Sequence, residues 1–157
     1  MHTITKQFKN YPAAHRQHNH DGHCAFVHGH NWTFEITFTA TELDENGFVL
    51  DFGKMKSIKQ WLTRMFDHTL LINEDDPMRR FFEANHCEAD GLPDNFVALW
   101  DVRIVPNGSA EDLAKYVMQN VQEIIQADGH DGRVQIVSVT VYEDEKNSAT
   151  YIQEPSQ

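Results

Sequence analysis

The amino-acid sequence predicts an α+β fold in which helices pack on one face of a mainly antiparallel sheet. Two observations favour this class: the predicted elements follow the order β-β-α-(α)-β-α-β-β, and the segments at both ends of the chain are suited to hairpin pairing. With 157 residues, the chain has the length of one ordinary domain. We therefore expect residues 1–157 to form a single domain around one hydrophobic core.

The first half of the chain is predicted to supply two strands and a helix. Residues 3–14 form the first strand, and a polar loop follows it. From residue 31 to residue 39, apolar and polar side chains alternate strictly, which predicts a half-buried strand. Asp51 can cap a helix, and an apolar stripe at helical spacing predicts that helix over residues 52–66.

The second half is dominated by one long helix, predicted over residues 110–127. Its start is marked by Ser109 and Asp112, which resemble a capping box, and a regular apolar stripe follows. The other predicted elements are a short helix from Asp76-Pro77, a loop over 89–95, strands over 96–105 and 134–142, a hairpin partner over 149–152, and a disordered tail over 154–157.

Charge and hydropathy exclude several classes of partner. Thirteen basic and twenty-four acidic side chains give a formal net charge of -11, which repels nucleic acid and anionic membranes and leaves a small molecule as the expected partner. No apolar run approaches the roughly 20 residues of a membrane-spanning helix. Two cysteines are too few for a disulfide framework, and the first residues do not resemble a secretory leader. We expect a soluble, cytoplasmic protein.

Histidine is the unusual component of the composition, because seven of the ten histidines lie in the first thirty residues. In His28-Gly29-His30, at the start of a predicted strand, the two imidazoles point to the same side, with their backbones about 6.5 to 7 Å apart. His15, at the end of the preceding strand, can supply a third ligand once the two strands pair. Three neutral imidazoles with an open fourth position are typical of catalytic zinc.

Other interpretations of these residues remain open from the sequence alone. A pair of histidines on a strand is often simply solvated. Cys24 can be a fourth ligand, which would make the site structural, or a base or nucleophile whose thiolate is favoured by the field of a dication. Three further histidines in the same polar loop are also candidate ligands, but we expect them to face water: His18, His20 and His23.

Two more groups can take part in chemistry. Asp67-His68 follows the end of the first helix. If Asp67 orients the ring, His68 becomes a proton shuttle; otherwise it is a cation favoured by the helix dipole. Glu143 follows a predicted strand, where its carboxylate can accept two parallel N–H bonds from the edge of a planar ring. On its own, it is an exposed glutamate.

Six short elements stand in a characteristic order along the chain. They are Ala13-Ala14-His15, Cys24 ahead of His28-Gly29-His30, Asp51-Phe52, Asp67-His68, Ser109-Ala110-Glu111 and Tyr142-Glu143. In this order they resemble the 6-pyruvoyl-tetrahydropterin synthase family, over about residues 4–152. Only residues 25–27 separate the cysteine from the first histidine of the pair. This spacing is similar to that of the branch that forms 6-carboxy-tetrahydropterin in queuosine biosynthesis, whereas the pyruvoyl enzymes carry a longer insert.

The resemblance implies a fold, an assembly and a set of residue roles. The fold would be the T-fold, in which a four-stranded antiparallel sheet packs on two helices and subunits form a barrel, commonly a homo-oligomer of six with active sites between subunits. The implied roles are zinc ligands at His15, His28 and His30, a general base at Cys24, a proton relay at Asp67 and His68, and substrate-binding carboxylates at Glu143, which anchors the pterin, and Glu111.

The implied reaction acts on 7,8-dihydroneopterin triphosphate. Zinc would bind the side-chain hydroxyls, and proton removal, triphosphate loss and carbon–carbon cleavage would release acetaldehyde and leave 6-carboxy-5,6,7,8-tetrahydropterin. Two alternatives are a 6-pyruvoyl-tetrahydropterin synthase, which eliminates triphosphate without cleaving the side chain, and a non-catalytic protein that binds zinc or pterin.

The sequence departs from the family pattern in three respects. The helix start is usually Pro-Thr-Ser/Ala-Glu, but Gly108 and Ser109 stand in the first two positions, so the hydroxyl cap is kept and the rigid proline is lost. The segment over residues 74–105 is longer than in compact members and contains Cys87. The acidity of the chain is unusual for a triphosphate substrate, and we expect cationic side chains of neighbouring subunits to offset it.

Overall fold

The computed structural model describes residues 1–86, 100–130 and 132–153. Its helices are α1 Lys56–Phe66, α2 Arg79–Ala84 and α3 Ala110–Ala127. Its strands are β1 His2–His15, β2 His28–Ala40, β3 Thr69–Asn73, β4 Val102–Val105, β5 Gln135–Tyr142 and β6 Ser148–Ile152. No helix in these ranges is long and apolar enough to cross a membrane.

All six of these strands belong to one mixed sheet, in the order β4-β3-β1-β2-β5-β6. The pairs β1–β2, β2–β5 and β5–β6 are antiparallel, whereas β3 runs parallel to both β1 and β4. The α+β class is confirmed, but the prediction of a four-stranded antiparallel sheet is wrong. The sheet has two further strands, β3 and β4, which lie beside β1 and run parallel to it.

No local pattern in the sequence predicts strand β3, because both of its faces are covered. All five of its residues are buried, so the segment has none of the alternation that marks a half-exposed strand. Leu71 packs into the main core, whereas Leu70 and Ile72 join a second cluster with Phe82 of α2. Since neighbouring strand residues point to opposite faces, α2 lies on the other face of the sheet from the main core.

The other sequence predictions differ mainly at element boundaries. Helix α3 matches residues 110–127 as predicted, and the Ser109 hydroxyl accepts from the Asp112 N–H. Helix α1 begins at Lys56, after a separate 3-10 turn at Phe52–Lys54 that the Asp51 side chain caps. Of the strand predicted over 96–105, only Val102–Val105 is formed within the described residues. The predicted loop over 89–95 and the tail over 154–157 lie outside them.

The main core lies between the sheet and the helices α1 and α3. The four alternating apolar residues of β2 are all fully buried, which confirms the predicted face: Trp32, Phe34, Ile36 and Phe38. Helix α3 contributes its apolar stripe to the same core.

A bulge divides β1 into two parts. Phe8 pairs with Phe34 and Tyr11 pairs with Trp32, so β1 carries one residue more than β2 between these pairs. Asn10, within the bulge, has a positive φ of 68°, a conformation that asparagine adopts more readily than most residues. As a result, Phe8 and Tyr11, three positions apart, are both buried in the core.

Candidate metal centre

The three predicted ligand histidines meet at the end of the long β1–β2 hairpin. His15 lies directly opposite His28, and Ala13 lies opposite His30, so all three imidazoles point to the same face of the sheet. One ring nitrogen from each lies within 4.8 Å of the other two. His15 is buried, with 3% of its surface exposed, and the other two rings are half-buried.

Hydrogen bonds to backbone carbonyls set the protonation of two of these rings. The Nδ1 atom of His15 lies 2.8 Å from the Gly108 oxygen, and Nδ1 of His28 lies 2.8 Å from the Phe26 oxygen. Because a carbonyl oxygen can only accept, each Nδ1 carries the hydrogen, and in the neutral ring Nε2 is left with a free lone pair. The two Nε2 atoms face one another at 3.0 Å.

Two lone pairs at this distance repel unless a cation lies between them, so the donor set suits a metal ion. Tetrahedral zinc with nitrogen ligands at 2.0–2.1 Å separates neighbouring ligand atoms by about 3.3 Å, close to the spacing seen. Imidazole nitrogens are also ligands that zinc prefers. The residues present therefore fit the predicted metal.

Burial keeps His15 in the form that a metal needs. Desolvation of the ring lowers the pKa of His15 from 6.5 to about 4; the hydrogen bond to Gly108 opposes this shift, and electrostatic interaction with the His28 and His30 rings adds to it. The ring is therefore neutral at pH 7, and the metal has no proton to displace from it.

Trp32 forms a rigid floor beneath the ligands. The indole is fully buried and its Nε1–H donates to the Ala13 oxygen at 3.2 Å. Its ring centroid lies 5.0 Å from that of His15 and 5.2 Å from that of His30, with both contacts edge-to-face. Such packing restricts the rotamers of the two ligands.

A cleft of about 460 Å³ opens over the three histidines. Its walls include three other predicted site residues: Cys24, Glu111 and Glu143. Four polar residues that the sequence did not mark as candidates also line the cleft: Gln17, Lys146, Asn147 and Ser148. They carry no local motif, and only the fold brings them to the ligands.

Cys24 lies in the cleft without joining the ligand cluster. It belongs to the 3-10 turn His23–Ala25 and is partly buried, and its backbone oxygen accepts from the Gln17 N–H at 2.7 Å. Its sulfur is not in the group of ligand atoms that lie within 4.8 Å of one another. The described residues therefore place Cys24 beside the three histidines but not among the candidate ligand atoms.

Asp67 and His68 contact one another but lie outside this cleft. The Nδ1 atom of His68 is 2.7 Å from Oδ1 of Asp67, and 82% of the His68 side chain is exposed. His68 also has a positive φ of 58°. It lines a shallow open surface together with Gly29 and His30. The described chain therefore does not bring this pair into the cleft with Cys24.

The expectation that the loop histidines face water is wrong for His18. Its side chain is only 8% exposed, and Nδ1 lies 3.8 Å from the fully buried carboxylate of Asp76, which pairs with Arg16 at 2.9 Å. An acidic partner more than fifty positions away could not be read from the loop sequence. His23 is exposed as expected, and the side chain of His20 is about half exposed.

Comparison with known proteins assigns the chain to a family. Residues 3–154 match the family model described as 6-pyruvoyl tetrahydropterin synthase. The chain belongs to this family.

Curated members of the 6-pyruvoyl tetrahydropterin synthase family include several close matches to parts of the chain. The 6-carboxy-5,6,7,8-tetrahydropterin synthase of Rickettsia typhi is 41% identical over 68 residues, which cover 43% of this chain and 49% of that protein. The protein of the same name from Aquifex aeolicus is 28% identical over 133 residues, or 83% of this chain and 76% of that protein. The chain thus spans about half the length of the Rickettsia relative that it matches.

Solved structures show the same fold over nearly the whole chain. An uncharacterized protein from Wolinella succinogenes superposes with a TM-score of 0.76 at 21% identity, covering 98% of both chains. The 6-pyruvoyltetrahydropterin synthase of Plasmodium vivax superposes with a TM-score of 0.68 at 18% identity, covering 99% of this chain and 100% of that one. At these identities the likeness concerns the fold of the family and not the reaction.

Proposed function

We propose that this chain is a zinc-dependent carbon–carbon lyase. It converts 7,8-dihydroneopterin triphosphate and water to 6-carboxy-5,6,7,8-tetrahydropterin, acetaldehyde and triphosphate, as a cytoplasmic enzyme of queuosine biosynthesis. The observation that carries the proposal is the pair of unprotonated Nε2 atoms of His15 and His28, which lie 3.0 Å apart at the base of the cleft. The relatives named 6-carboxy-5,6,7,8-tetrahydropterin synthase favour this reaction over its alternatives.

The zinc ion would be held by the three histidines of the hairpin. Bound there, zinc supplies a Lewis acid that makes the hydroxyl protons of the substrate side chain easier to remove. The chain contributes the neutral form of His15 through burial and a direction for each ring through hydrogen bonds to Gly108 and Phe26. The open side of the ligand set faces the cleft.

Cys24 acts as the general base within the cleft. It is partly buried, lines the same walls as the ligands and stands apart from their nitrogen atoms. A thiolate in that position can take a proton from a substrate side chain that lies over the histidines.

Asp67 and His68 form the relay that returns the proton, and they serve the cleft of a neighbouring subunit. The carboxylate fixes the ring by accepting from Nδ1–H, so Nε2 faces outward as the proton carrier. The 82% exposure of His68 and its position outside the cleft support a homo-oligomeric enzyme, which we propose to be a hexamer with sites between subunits.

Carboxylates and one cation of the cleft bind the substrate. Glu143 accepts two N–H bonds from the edge of the pterin ring, and Glu111, in the first turn of α3, is the second substrate-binding carboxylate. Lys146 lines the same cleft and offers a positive charge to the triphosphate. With a chain charge of -11, we expect neighbouring subunits to supply further cations.

Product analysis tests this function directly. The purified, zinc-loaded protein is incubated with 7,8-dihydroneopterin triphosphate, the pterin product is identified by mass, and acetaldehyde is measured separately. We expect 6-carboxy-tetrahydropterin and acetaldehyde in equal amounts. A pyruvoyl product without acetaldehyde would assign the chain to the other branch of the family, and substrate binding without turnover would make it a non-catalytic member.

A further inference from the structure

We propose that Asn73 is a positioning residue for the ligand His15, acting through the backbone of Gly108. The inference rests on the proposed function only in that His15 is taken to bind a metal. It concerns a side chain that does not line the cleft and that no sequence motif marks.

Asn73 is the last residue of β3 and is only 2% exposed. Its Oδ1 accepts a hydrogen bond from the Gly108 N–H at 2.7 Å, and its Nδ2 donates to Oε1 of Gln17 at 3.2 Å. Because the amide is shielded from water, losing either partner would leave a buried polar group without a substitute.

Gly108 links Asn73 to the metal centre through the two ends of one residue. Its N–H is held by Asn73, and its carbonyl oxygen accepts from Nδ1 of His15 at 2.8 Å. The second contact fixes the tautomer and the orientation of the imidazole, as outer partners of metal-bound histidines do. Moving the Gly108 peptide would therefore turn the lone pair of His15 away from that of His28.

The space around Gly108 shows how closely these groups are packed. A Cβ atom on Gly108 would lie 3.3 Å from Oδ1 of Asn73 and 3.6 Å from Nδ1 of His15. Gly108 stands where the family pattern has proline, a residue without an N–H. In this chain, the hydrogen bond that the Gly108 N–H donates to Asn73 restrains the turn in place of a proline ring.

Gln17 extends the same restraint to the next residue of the turn. Its Nε2 donates to Oδ1 of Asn107 at 3.0 Å, and that oxygen also accepts from the Ser109 N–H at 2.9 Å. Asn73 and Gln17 together hold the 107–109 turn on both sides, just before α3 carries Glu111 into the cleft.

The test measures metal binding rather than turnover. Metal-free wild type and Asn73→Ala are titrated with Zn²⁺ against a chelator of known affinity, and with Co²⁺ while its visible absorption is recorded. We expect about tenfold weaker zinc binding in Asn73→Ala and an altered Co²⁺ spectrum. Asn120→Ala is the matched control, because the Asn120 amide also hydrogen-bonds to the backbone, by donating to the Tyr116 carbonyl, but Asn120 lies more than two turns beyond the start of α3.

A double-variant cycle tests the route through Gly108. Gly108→Pro removes the N–H that donates to Asn73 and places a ring against Oδ1 of Asn73, a clash that Asn73→Ala relieves. Asn73→Ala combined with Gly108→Pro should therefore bind zinc no more weakly than Gly108→Pro alone. Asn73→Asp keeps an oxygen acceptor for Gly108 but loses the donor to Gln17, so it should bind zinc more tightly than Asn73→Ala does. It also provides a readout if Asn73→Ala does not fold.

Distinct outcomes overturn the inference and the proposed function. Wild-type zinc affinity and Co²⁺ spectrum in Asn73→Ala, a lowered thermal stability alone, additive losses in the cycle, or equal losses in Asn73→Asp and Asn73→Ala would each overturn the positioning role. Failure of the wild-type protein to bind one zinc per chain would instead overturn the metal centre on which the proposed function depends.

Discussion

Oδ1 of Asp67 lies 2.7 Å from Nδ1 of His68, yet 82% of the His68 side chain is exposed to solvent. An exposed contact of this kind contributes little to stability. The backbone of His68 nevertheless adopts a left-handed conformation, which a non-glycine residue adopts at some energetic cost. The exposed ring and its carboxylate partner are the groups that the proposed relay would use, and they lead to the first prediction.

Asp67→Asn should lower the turnover number about 100-fold or more, because the neutral amide no longer stabilises the protonated ring. Zinc content and melting temperature should stay at their wild-type values, since the pair lies outside the cleft and is exposed. The measurement is steady-state turnover together with metal analysis. Asp21→Asn is the matched control, because Asp21 also stands beside a histidine, His20, on the surface. Full activity in Asp67→Asn would refute the relay.

Cys24→Ala should fold, bind one zinc per chain and lose activity by orders of magnitude, because the thiol lies in the cleft but outside the ligand cluster. His28→Ala is the counterpart, and it should lose the metal as well as the activity. Metal analysis by mass spectrometry separates the two variants. If Cys24→Ala lost its zinc, the thiol would be a structural ligand and the proposed base would have to be sought elsewhere.

Glu143→Gln should raise KM more than it lowers kcat. A hydrogen bond to a charged acceptor contributes about 1.5–3 kcal/mol, which corresponds to an increase in KM of roughly 10- to 100-fold. Glu145→Gln is the control, because Glu145 lies in the same turn but outside the cleft that holds the ligands. The measurement is the rate as a function of substrate concentration for the wild type, Glu143→Gln and Glu145→Gln. An unchanged KM in Glu143→Gln would exclude Glu143 as the pterin anchor.

The metal-free protein should lose stability as the pH falls from about 6.5 to about 4. The folded state holds the pKa of His15 at about 4, whereas the unfolded chain takes up a proton near 6.5. Between these values the unfolded state binds more protons, so the free energy of unfolding rises with pH across the window. The full difference is at most about 3.4 kcal/mol.

His15→Asn isolates this contribution. Asparagine can still donate to the Gly108 oxygen but does not titrate, so urea unfolding of the metal-free variant should vary less between pH 4 and 6.5 than that of the wild type. An identical pH dependence in both proteins would show that the burial of His15 does not govern acid stability.

Elements with a clear local period were predictable from the sequence, and elements set by tertiary context were not. Strand β2 buries one face and helix α3 buries one stripe, so the spacing of apolar residues in the sequence predicts both elements. The strand β3 is covered on both sides, and nothing in Thr69–Asn73 distinguishes it from a short buried piece of helix or loop.

The same distinction holds for the site. His28 and His30 share a strand face by period alone, but the contribution of His15 depends on pairing between two strands. The burial of His18 depends on Asp76, and the place of Asn73 depends on a turn thirty-five residues later. Such long-range contacts leave no trace in a local pattern, so the resemblance to a family was needed to select His15.

The extra residue at Asn10 has a consequence for the third ligand. In an uninterrupted strand, residues that share the face of Phe8 would be the even-numbered ones, and His15 would point to the opposite side of the sheet. The bulge reverses this parity, so that Tyr11, Ala13 and His15 follow Phe8 onto one face. Deleting a single residue of the bulge, five positions before the nearest ligand, would leave His28 and His30 in place and point His15 away from them.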